Sequence, residues 1–188
     1  MRSLSRRKTL TALAVTGLFP PLVSVKAANK FTIVALGDSL TAGYGLPPEE
    51  AFTTLLEQQL KANGLNVEVV NAGVSGDTSK GGLARVDWSV PDGTGLVIVE
   101  LGANDALRGI SPAETAKNLD AIITRIRQRG IAVLLAGMLA PPNMGQDYEA
   151  AFNAIYPDLE RKHKVPLYPF FLDGVAAVPE LNQADGIH

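Results

Sequence analysis

Short apolar runs alternate with segments of helical periodicity along most of the chain, and this alternation limits the possible folds more than any other feature. The apolar runs, which are the expected strands, cover residues 31–36, 67–70, 96–101, 131–137 and, more weakly, 165–170. Helices are expected over residues 49–64, 111–130 and 147–164. The third run, LVIVEL, is almost continuously apolar, as in a strand that is covered on both faces. The pattern predicts an α/β fold of three layers, with helices on both faces of one five-stranded parallel sheet.

Polar segments follow each of the first three predicted strands, and a fourth closes the chain. They read GDSLTAG from Gly37, NAGVSGDTS from Asn71, GAND from Gly102 and DGIH from Asp185. In parallel sheets, ligand sites form beside the carboxyl ends of the strands, near a reversal of strand order. Each segment alone fits an ordinary turn or helix cap, for example through Asp77 or Thr78, or a left-handed turn at Asn104. Their joint occurrence at one sheet edge predicts a functional site.

A serine nucleophile in the first segment needs a partner that removes its proton. Ser39 is that serine, and the candidate partners are the two histidines. His163 lies in the charged stretch ERKHK, which is typical of a solvated helix face. His188 is therefore the candidate base, and Asp185 is close enough in one turn to accept a hydrogen bond from the imidazole Nδ1. The sequence thus predicts a catalytic triad of Ser39, His188 and Asp185.

Acyl transfer also needs hydrogen-bond donors aimed at the developing oxyanion. The candidate donors are the backbone N–H groups of Ser39 and Gly76 and the side-chain amide of Asn104. The nucleophile does not fit the G-x-S-x-G elbow of α/β-hydrolases, because Thr41 stands two residues after Ser39. A Ser-His-Asp set on a different α/β fold is indicated.

Taken in order, the four polar segments resemble the sequence blocks of the SGNH (GDSL) hydrolases, and among them the exported bacterial acyl thioesterases, lysophospholipases and arylesterases. The similarity runs from Phe31 to His188: GDSL contains the serine, SGDTS the oxyanion glycine, GAND the oxyanion asparagine, and DGIH the aspartate and histidine. The resemblance implies a flavodoxin-like sheet and no cofactor or metal. It also implies hydrolysis of acyl esters, and often of thioesters, through an acyl-serine.

The same resemblance assigns the acyl groove to two loops, LRGI at residues 107–110 and LAPPNMG at residues 139–145. It makes Leu107, Ile110, Pro141 and Pro142 the expected substrate-binding residues. Family members continue past the histidine with a proline-containing turn and a final helix, so the resemblance implies that the hydrolase domain of residues 28–188 is C-terminally incomplete. The absent helix would cover one face of the sheet.

Residues 1–27 have the organisation of an export signal. A basic start precedes an apolar stretch from Thr9 to Val25 and a small-residue site that predicts cleavage near Ala27. A transmembrane anchor is disfavoured because the apolar stretch is short of the roughly 18 to 20 residues needed and is interrupted by prolines. Arg6 and Arg7 resemble a twin-arginine signal, although the Sec route stays open. The processed protein is expected in the periplasm or outside the cell.

Charge and composition limit the classes of molecule that this chain can be expected to bind. The first 27 residues contain five of the 17 basic residues and none of the 19 acidic ones, so residues 28–188 carry a net charge of −7. An acidic domain of this kind is a poor partner for nucleic acid or an anionic membrane. The chain has no cysteine and two histidines, which argues against thiolate and histidine metal sites. A small acyl ester or thioester is the expected substrate, and a monomer the default state.

Two other interpretations remain open from the sequence. A non-catalytic exported domain could retain the motifs as a scaffold for ligand binding. A metal-dependent phosphatase could use Asp38, Asp77 and Asp105, because carboxylates at strand ends suit Mg²⁺. The phosphatase interpretation leaves Ser39 and His188 without a role.

Overall fold

One parallel sheet forms the centre of the molecule. The computed structural model describes residues 30–188, so the predicted export signal lies outside the described residues. The strands are β1 (Phe31–Gly37), β2 (Val67–Gly73), β3 (Thr94–Glu100), β4 (Ala132–Ala136) and β5 (Leu167–Tyr168). They are ordered β2–β1–β3–β4–β5, and all neighbouring pairs are parallel. The predicted α/β fold with a five-stranded parallel sheet is confirmed.

Helices connect the strands and cover the two sheet faces. They are α1 (Ser39–Ala42), α2 (Phe52–Ala62), α3 (Ser79–Ser89), α4 (Ala103–Leu107), α5 (Pro112–Gln128), α6 (Gln146–Asn153) and α7 (Ile155–His163). Short 3₁₀ turns lie at Pro48–Glu50, Pro142–Met144 and Pro179–Leu181. Within residues 30–188, no helix combines the length and the apolarity needed to cross a bilayer.

Alternation along β1 divides the core between the two faces. Val34 and Leu36 point to the larger side, where they pack with Ile122 and Phe152 from the helices. Ile33 and Ala35 point to the smaller side, which is covered by one face of α2. Beyond α2 on that side, the strand residues Leu96 and Leu134 are only partly buried. The helix that the family resemblance places beyond His188 stays a prediction.

Prolines account for two differences between the expected and the observed elements. The helix predicted over residues 147–164 is two helices with a break at Ala154, because Pro157 has no N–H to continue the hydrogen-bonding pattern. The fifth strand is two residues long rather than six, because prolines flank it and cannot donate to the sheet. Helix α5 begins at Pro112, one residue later than expected, and the Ser111 carbonyl accepts from the Glu114 and Thr115 N–H groups of its first turn.

Strand order and register place three loops side by side. The order reverses between β1 and β3, which is where parallel sheets open a crevice. Gly37 at the end of β1 is level with Gly73 of β2 and with Glu100 of β3. A side chain at Gly73 would come within 2.2 Å of the Ala42 backbone nitrogen, so α1 packs directly on the β2 backbone. The three polar segments therefore leave the sheet at one edge.

Candidate active site

Ser39 is the first residue of α1 and follows β1 after a single intervening residue. That residue, Asp38, is fully buried and caps the helix, because its Oδ1 accepts from the Leu40 N–H at 3.0 Å. Ser39 itself is half-buried and lines a cavity at the carboxyl edge of the sheet. A hydroxyl at the first position of a capped helix has a fixed backbone and an open approach, which are the conditions for a nucleophile.

The structure brings Ser39, His188 and Asp185 together in the order that the sequence predicts. The imidazole Nε2 of His188 lies 2.9 Å from the Ser39 Oγ, although the two residues are 149 positions apart in the chain. On the other side of the ring, Nδ1 lies 2.6 Å from Asp185 Oδ2. The second oxygen of Asp185 accepts from the backbone N–H groups of Ile187 and His188, both at 3.0 Å. This arrangement favours the tautomer that carries its hydrogen on Nδ1 and leaves Nε2 free to accept from the serine.

Three hydrogen bonds keep Asp185 ionised. The N–H of Ile187, the imidazole of His188 and the N–H of His188 lower the pKa of Asp185 to about 2. Its side chain is 40% exposed, so solvent screens the charge and these bonds set the ionisation state of Asp185 more than they add to stability. Asp185 therefore carries its negative charge at every pH well above 2.

The predicted oxyanion donors line the same cavity as the serine hydroxyl. Gly76 occupies a left-handed turn after β2, with φ at +83°, and its carbonyl accepts from Arg108 at 2.7 Å. Asn104 lies in α4, and the left-handed position of that loop is taken by Gly102, so the left-handed turn at Asn104 is wrong. The Asn104 Nδ2 donates one hydrogen to Asp38 Oδ2 at 3.0 Å. An amide nitrogen has two hydrogens, so a second remains available to a ligand.

The cavity beside Ser39 has a volume of about 720 Å³ and a largely apolar lining. Leu107, Pro141 and Pro142 line it, as the resemblance implied. Ile110 is not among the residues that line this cavity, so its role in substrate binding stays a prediction. The turn after α4 ties the Ile110 N–H to the Asp105 carbonyl, and the Ile110 carbonyl accepts from the Tyr148 hydroxyl at 2.8 Å. These bonds tie the Ile110 backbone to α4 and α6.

Several cavity residues were not predicted from the sequence. The ring of Tyr44 lies 4.7 Å from the His188 ring, centroid to centroid, and is about half exposed. Met138, Phe170 and Leu172 contribute apolar wall. A usable signal existed for all four. Tyr44 follows the nucleophile helix, and the other three follow β4 and β5, whose carboxyl ends lie at the same edge as the serine.

A second carboxyl is buried behind the nucleophile. Glu100 is fully buried, and its Oε2 accepts from the Thr41 hydroxyl at 2.6 Å and from the Asp38 N–H at 3.3 Å. Within residues 30–188, its other oxygen has no hydrogen-bond partner. Burial raises the pKa of Glu100 well above the ordinary value of 4.5, and the nearby charge of Asp38 adds to the effect. Burial also raises the pKa of Asp38, but the donors Leu40 and Asn104 oppose that shift, so Asp38 is the ionised member of the pair.

The buried Glu100 makes stability depend on pH with a definite sign. Because the pKa of Glu100 is raised on folding, the folded chain binds this proton more tightly than the unfolded chain does. The resulting stabilisation is complete below pH 4.5 and is lost as the pH rises through the folded pKa.

We expect the free energy of unfolding of the wild type, relative to Glu100→Gln, to fall as the pH rises from 5 to 9. The slope is at most about 1.4 kcal/mol per pH unit. Urea unfolding of both proteins at several pH values measures it, and parallel curves would contradict it.

The three aspartates of the phosphatase interpretation have separate partners. Asp38 binds Asn104 and Leu40, and Asp77 pairs with Arg85 at 2.6 Å. Asp105 accepts from Ser79 and from Thr115 in the interior. Within the described part of the chain, no group of three acidic or histidine side chains could hold a metal ion. The carboxylates therefore do not converge on a common cation position.

A family profile described as the GDSL-like lipase/acylhydrolase family matches residues 35–188. This span runs from the end of β1 to His188 and contains all five predicted catalytic and oxyanion residues. The chain belongs to this family. The binding-domain and phosphatase interpretations are therefore less well supported than an acylhydrolase.

Individual relatives are consistent with this family assignment. Esterase TesA of Pseudomonas aeruginosa is 40% identical over 180 residues, which cover 95% of this chain and 90% of that protein. The Escherichia coli protein named thioesterase 1/protease 1/lysophospholipase L1 is 41% identical over 91% of this chain and 81% of its own length. The crystal structure of AlinE4, an SGNH-hydrolase family esterase, is similar with a TM-score of 0.81. It is 48% identical and covers 86% of this chain and 87% of that one.

Proposed function

We propose that this carboxylic ester hydrolase uses Ser39 as its nucleophile, His188 as its general base and acid, and Asp185 as the residue that orients the imidazole. The observation that carries the proposal is the continuous line of contacts from Asp185 through His188 to the serine oxygen, at 2.6 and 2.9 Å. A serine hydroxyl is a weak nucleophile unless a base accepts its proton, and the free Nε2 provides that base.

Acylation begins when the Ser39 Oγ attacks the acyl carbon and its proton passes to His188 Nε2. The carbonyl oxygen becomes an oxyanion that accepts hydrogen bonds from the N–H groups of Ser39 and Gly76 and from the Asn104 amide. Asp185 stabilises the imidazolium without taking the proton itself. The imidazolium then protonates the leaving alcohol or thiol, and the acyl group stays on Ser39.

Deacylation repeats the sequence with water in place of the serine. His188 removes a proton from water, the hydroxide attacks the acyl-serine, and the same three donors stabilise the second tetrahedral intermediate. The imidazolium returns the proton to the Ser39 oxygen, and the carboxylic acid leaves. No group outside the chain takes part except water.

The substrates that fit the site are acyl esters, with thioesters or lysophospholipids as further possibilities suggested by the E. coli relative. Leu107, Pro141, Pro142 and the other apolar residues of the wall suit a hydrocarbon acyl chain in the 720 Å³ cavity. Residues 1–27 would direct the chain out of the cytoplasm and be removed near Ala27. The processed enzyme would act as a monomer on small molecules, without nucleic acid or stable membrane insertion.

A fluorophosphonate ester tests the proposal directly, because it phosphonylates an activated serine but not an ordinary one. We expect one adduct per chain, located on Ser39 by peptide mass spectrometry, with loss of hydrolysis of p-nitrophenyl esters in proportion to labelling. Ser39→Ala should show neither the adduct nor the activity, whereas Ser111→Ala, at an exposed serine outside the cavity, should behave as wild type. Stoichiometric labelling elsewhere, or an active Ser39→Ala, would refute the assignment.

Activity measured with and without a chelator distinguishes the serine hydrolase from a metal-dependent phosphatase. Hydrolysis by the Ser39 mechanism is unaffected by EDTA, whereas a metal-dependent phosphatase loses its activity. A domain that only binds ligands would give no turnover and no adduct.

A further inference from the structure

The guanidinium of Arg85, the ion-pair partner of Asp77, is buried beneath the site and has no role in the proposed acyl-serine steps. Arg85 lies in α3, and the residue is 6% exposed. Its Nε donates to Asp77 Oδ2 at 2.6 Å, and its Nη2 donates to the Gly37 carbonyl at 2.7 Å. Its Nη1 donates to the Ala72 carbonyl at 2.8 Å and to the Ser89 hydroxyl at 3.2 Å. One side chain thus joins the ends of two strands and the loop between β2 and α3.

The partners of Arg85 flank the two backbone donors of the oxyanion hole. Gly37 is two residues before Ser39, whose N–H is the first donor. Ala72 and Asp77 stand on either side of Gly76, whose N–H is the second. The Gly37 carbonyl also accepts from the Val74 N–H at 3.0 Å, so the two loops meet at the atom that Arg85 holds. Arg85 and the Val74 N–H therefore bind the same carbonyl, which lies between the chain segments that carry the two donors.

We propose that Arg85 is a positioning residue for catalysis, which fixes the oxyanion donors of Ser39 and Gly76 relative to each other. The inference rests on the proposed acyl-serine mechanism and assigns it a residue behind the site. Oxyanion donors act through their preorganisation, because they must not reorganise as charge develops. A displacement of about 1 Å in such a group can cost about 100-fold in rate.

The geometry requires arginine and not merely a positive charge. The planar guanidinium sends N–H groups in fixed directions to a carboxylate and two carbonyls, whereas a lysine ammonium is a point charge on a flexible stem. Arg85→Lys therefore keeps the charge beside Asp77 but cannot span both strand ends. The expected consequence is a mobile Gly76 loop with an intact ground-state cavity, because Arg85 does not line the cavity.

The test compares ground-state and transition-state binding in Arg85→Lys. With a p-nitrophenyl ester, kcat should fall about 10- to 100-fold while KM stays within about threefold. Affinity for a trifluoromethyl ketone, which forms a hemiketal oxyanion with Ser39, should fall by the same factor as kcat/KM. Affinity for the product acid should not. A purely structural role would lower stability without separating these two ligands.

Arg129→Lys is the matched control. Like Arg85, Arg129 joins backbone to a carboxylate, here the Val90 carbonyl and Asp92 at 2.8 Å each, but it does so before β3, at the sheet edge opposite the site. We expect this variant to keep the wild-type kcat. An equal loss in both variants, or Arg85→Lys with kcat within threefold of wild type, would overturn the proposal.

If Arg85→Lys does not fold, Asp77→Asn carries the same test, because it weakens only the link to the Gly76 loop. It should lower kcat about threefold to tenfold with the same separation of ligands, and an unchanged kcat would overturn the proposal. Fluorophosphonate labelling of the wild type keeps the two questions apart. Absence of a Ser39 adduct refutes the mechanism, whereas normal labelling rates in Arg85→Lys refute the positioning role alone.

Discussion

Replacing His188 by alanine is expected to lower kcat about 10⁴- to 10⁶-fold, with KM changed far less. The reason is that the Ser39 Oγ has its proton acceptor at 2.9 Å on Nε2, and no other basic side chain lines the described cavity. Without the imidazole, neither attack by Ser39 nor protonation of the leaving group is assisted. The residual rate should come from the oxyanion donors and from substrate binding.

Three measurements check this expectation. Steady-state hydrolysis of a p-nitrophenyl ester gives kcat and KM, and added imidazole should restore part of the lost rate by entering the vacated space beside Tyr44. His163→Ala is the control, because His163 also pairs with an aspartate, Asp120, at 2.6 Å. It lies at the end of α7, before β5 and away from the catalytic edge. A loss in His163→Ala equal to that in His188→Ala would contradict the assignment.

The second large effect is expected for Asp185→Asn, at about 10³- to 10⁴-fold in kcat. The N–H groups of Ile187 and His188 both donate to Oδ1, so the asparagine must keep its oxygen there. Its NH₂ group then faces His188 Nδ1 and donates to it. The imidazole is forced into the tautomer with its hydrogen on Nε2, which cannot accept the Ser39 proton.

Comparing the pH dependence of the wild type with that of Asp185→Asn separates the effect of the Asp185 charge from the effect of the His188 tautomer. Because the pKa of Asp185 is held at about 2, its protonation contributes no loss of activity above about pH 3. Asp185→Asn should therefore stay slow at every pH, and raising the pH should not restore the rate. Asp158→Asn, which removes an exposed ion pair with Arg161, is the control and should keep full activity. Recovery of Asp185→Asn at high pH would contradict the tautomer argument.

The strands could be predicted, and so could the edge of the sheet at which the candidate site residues meet, because both depend on local sequence. Continuous apolar runs such as LVIVEL occur where both faces of a strand are buried, and the rule that polar segments follow strands led to Ser39, Gly76 and Asn104. The division of residues 147–164 into two helices was harder to predict from the sequence. A proline inside a periodic apolar pattern can end a helix, bend it or occupy a first turn, and only packing decides which.

The supporting residues were not predictable because their roles depend on long-range contacts. Arg85 reads as an ordinary polar residue in a helix, and nothing local indicates that it reaches Gly37, 48 positions away. From the sequence, Glu100 is only the last residue of a strand, and nothing local indicates that burial raises the pKa of its carboxyl. Ile110 stays a predicted substrate-binding residue outside the cavity lining, because the resemblance specifies a loop but not which of its side chains face inward.

The distance along the chain between serine and imidazole has a consequence for how the enzyme loses activity. The segment from Phe171 to His188 has one 3₁₀ turn as its regular structure, and few long-range hydrogen bonds attach it, such as Gln183 to the Tyr44 carbonyl and Phe171 to the Gly137 carbonyl. Such a segment opens at a lower free-energy cost than the central strands do. Under mild denaturation, inactivation will therefore precede the cooperative melting of the sheet, and an inactive sample need not be an unfolded one.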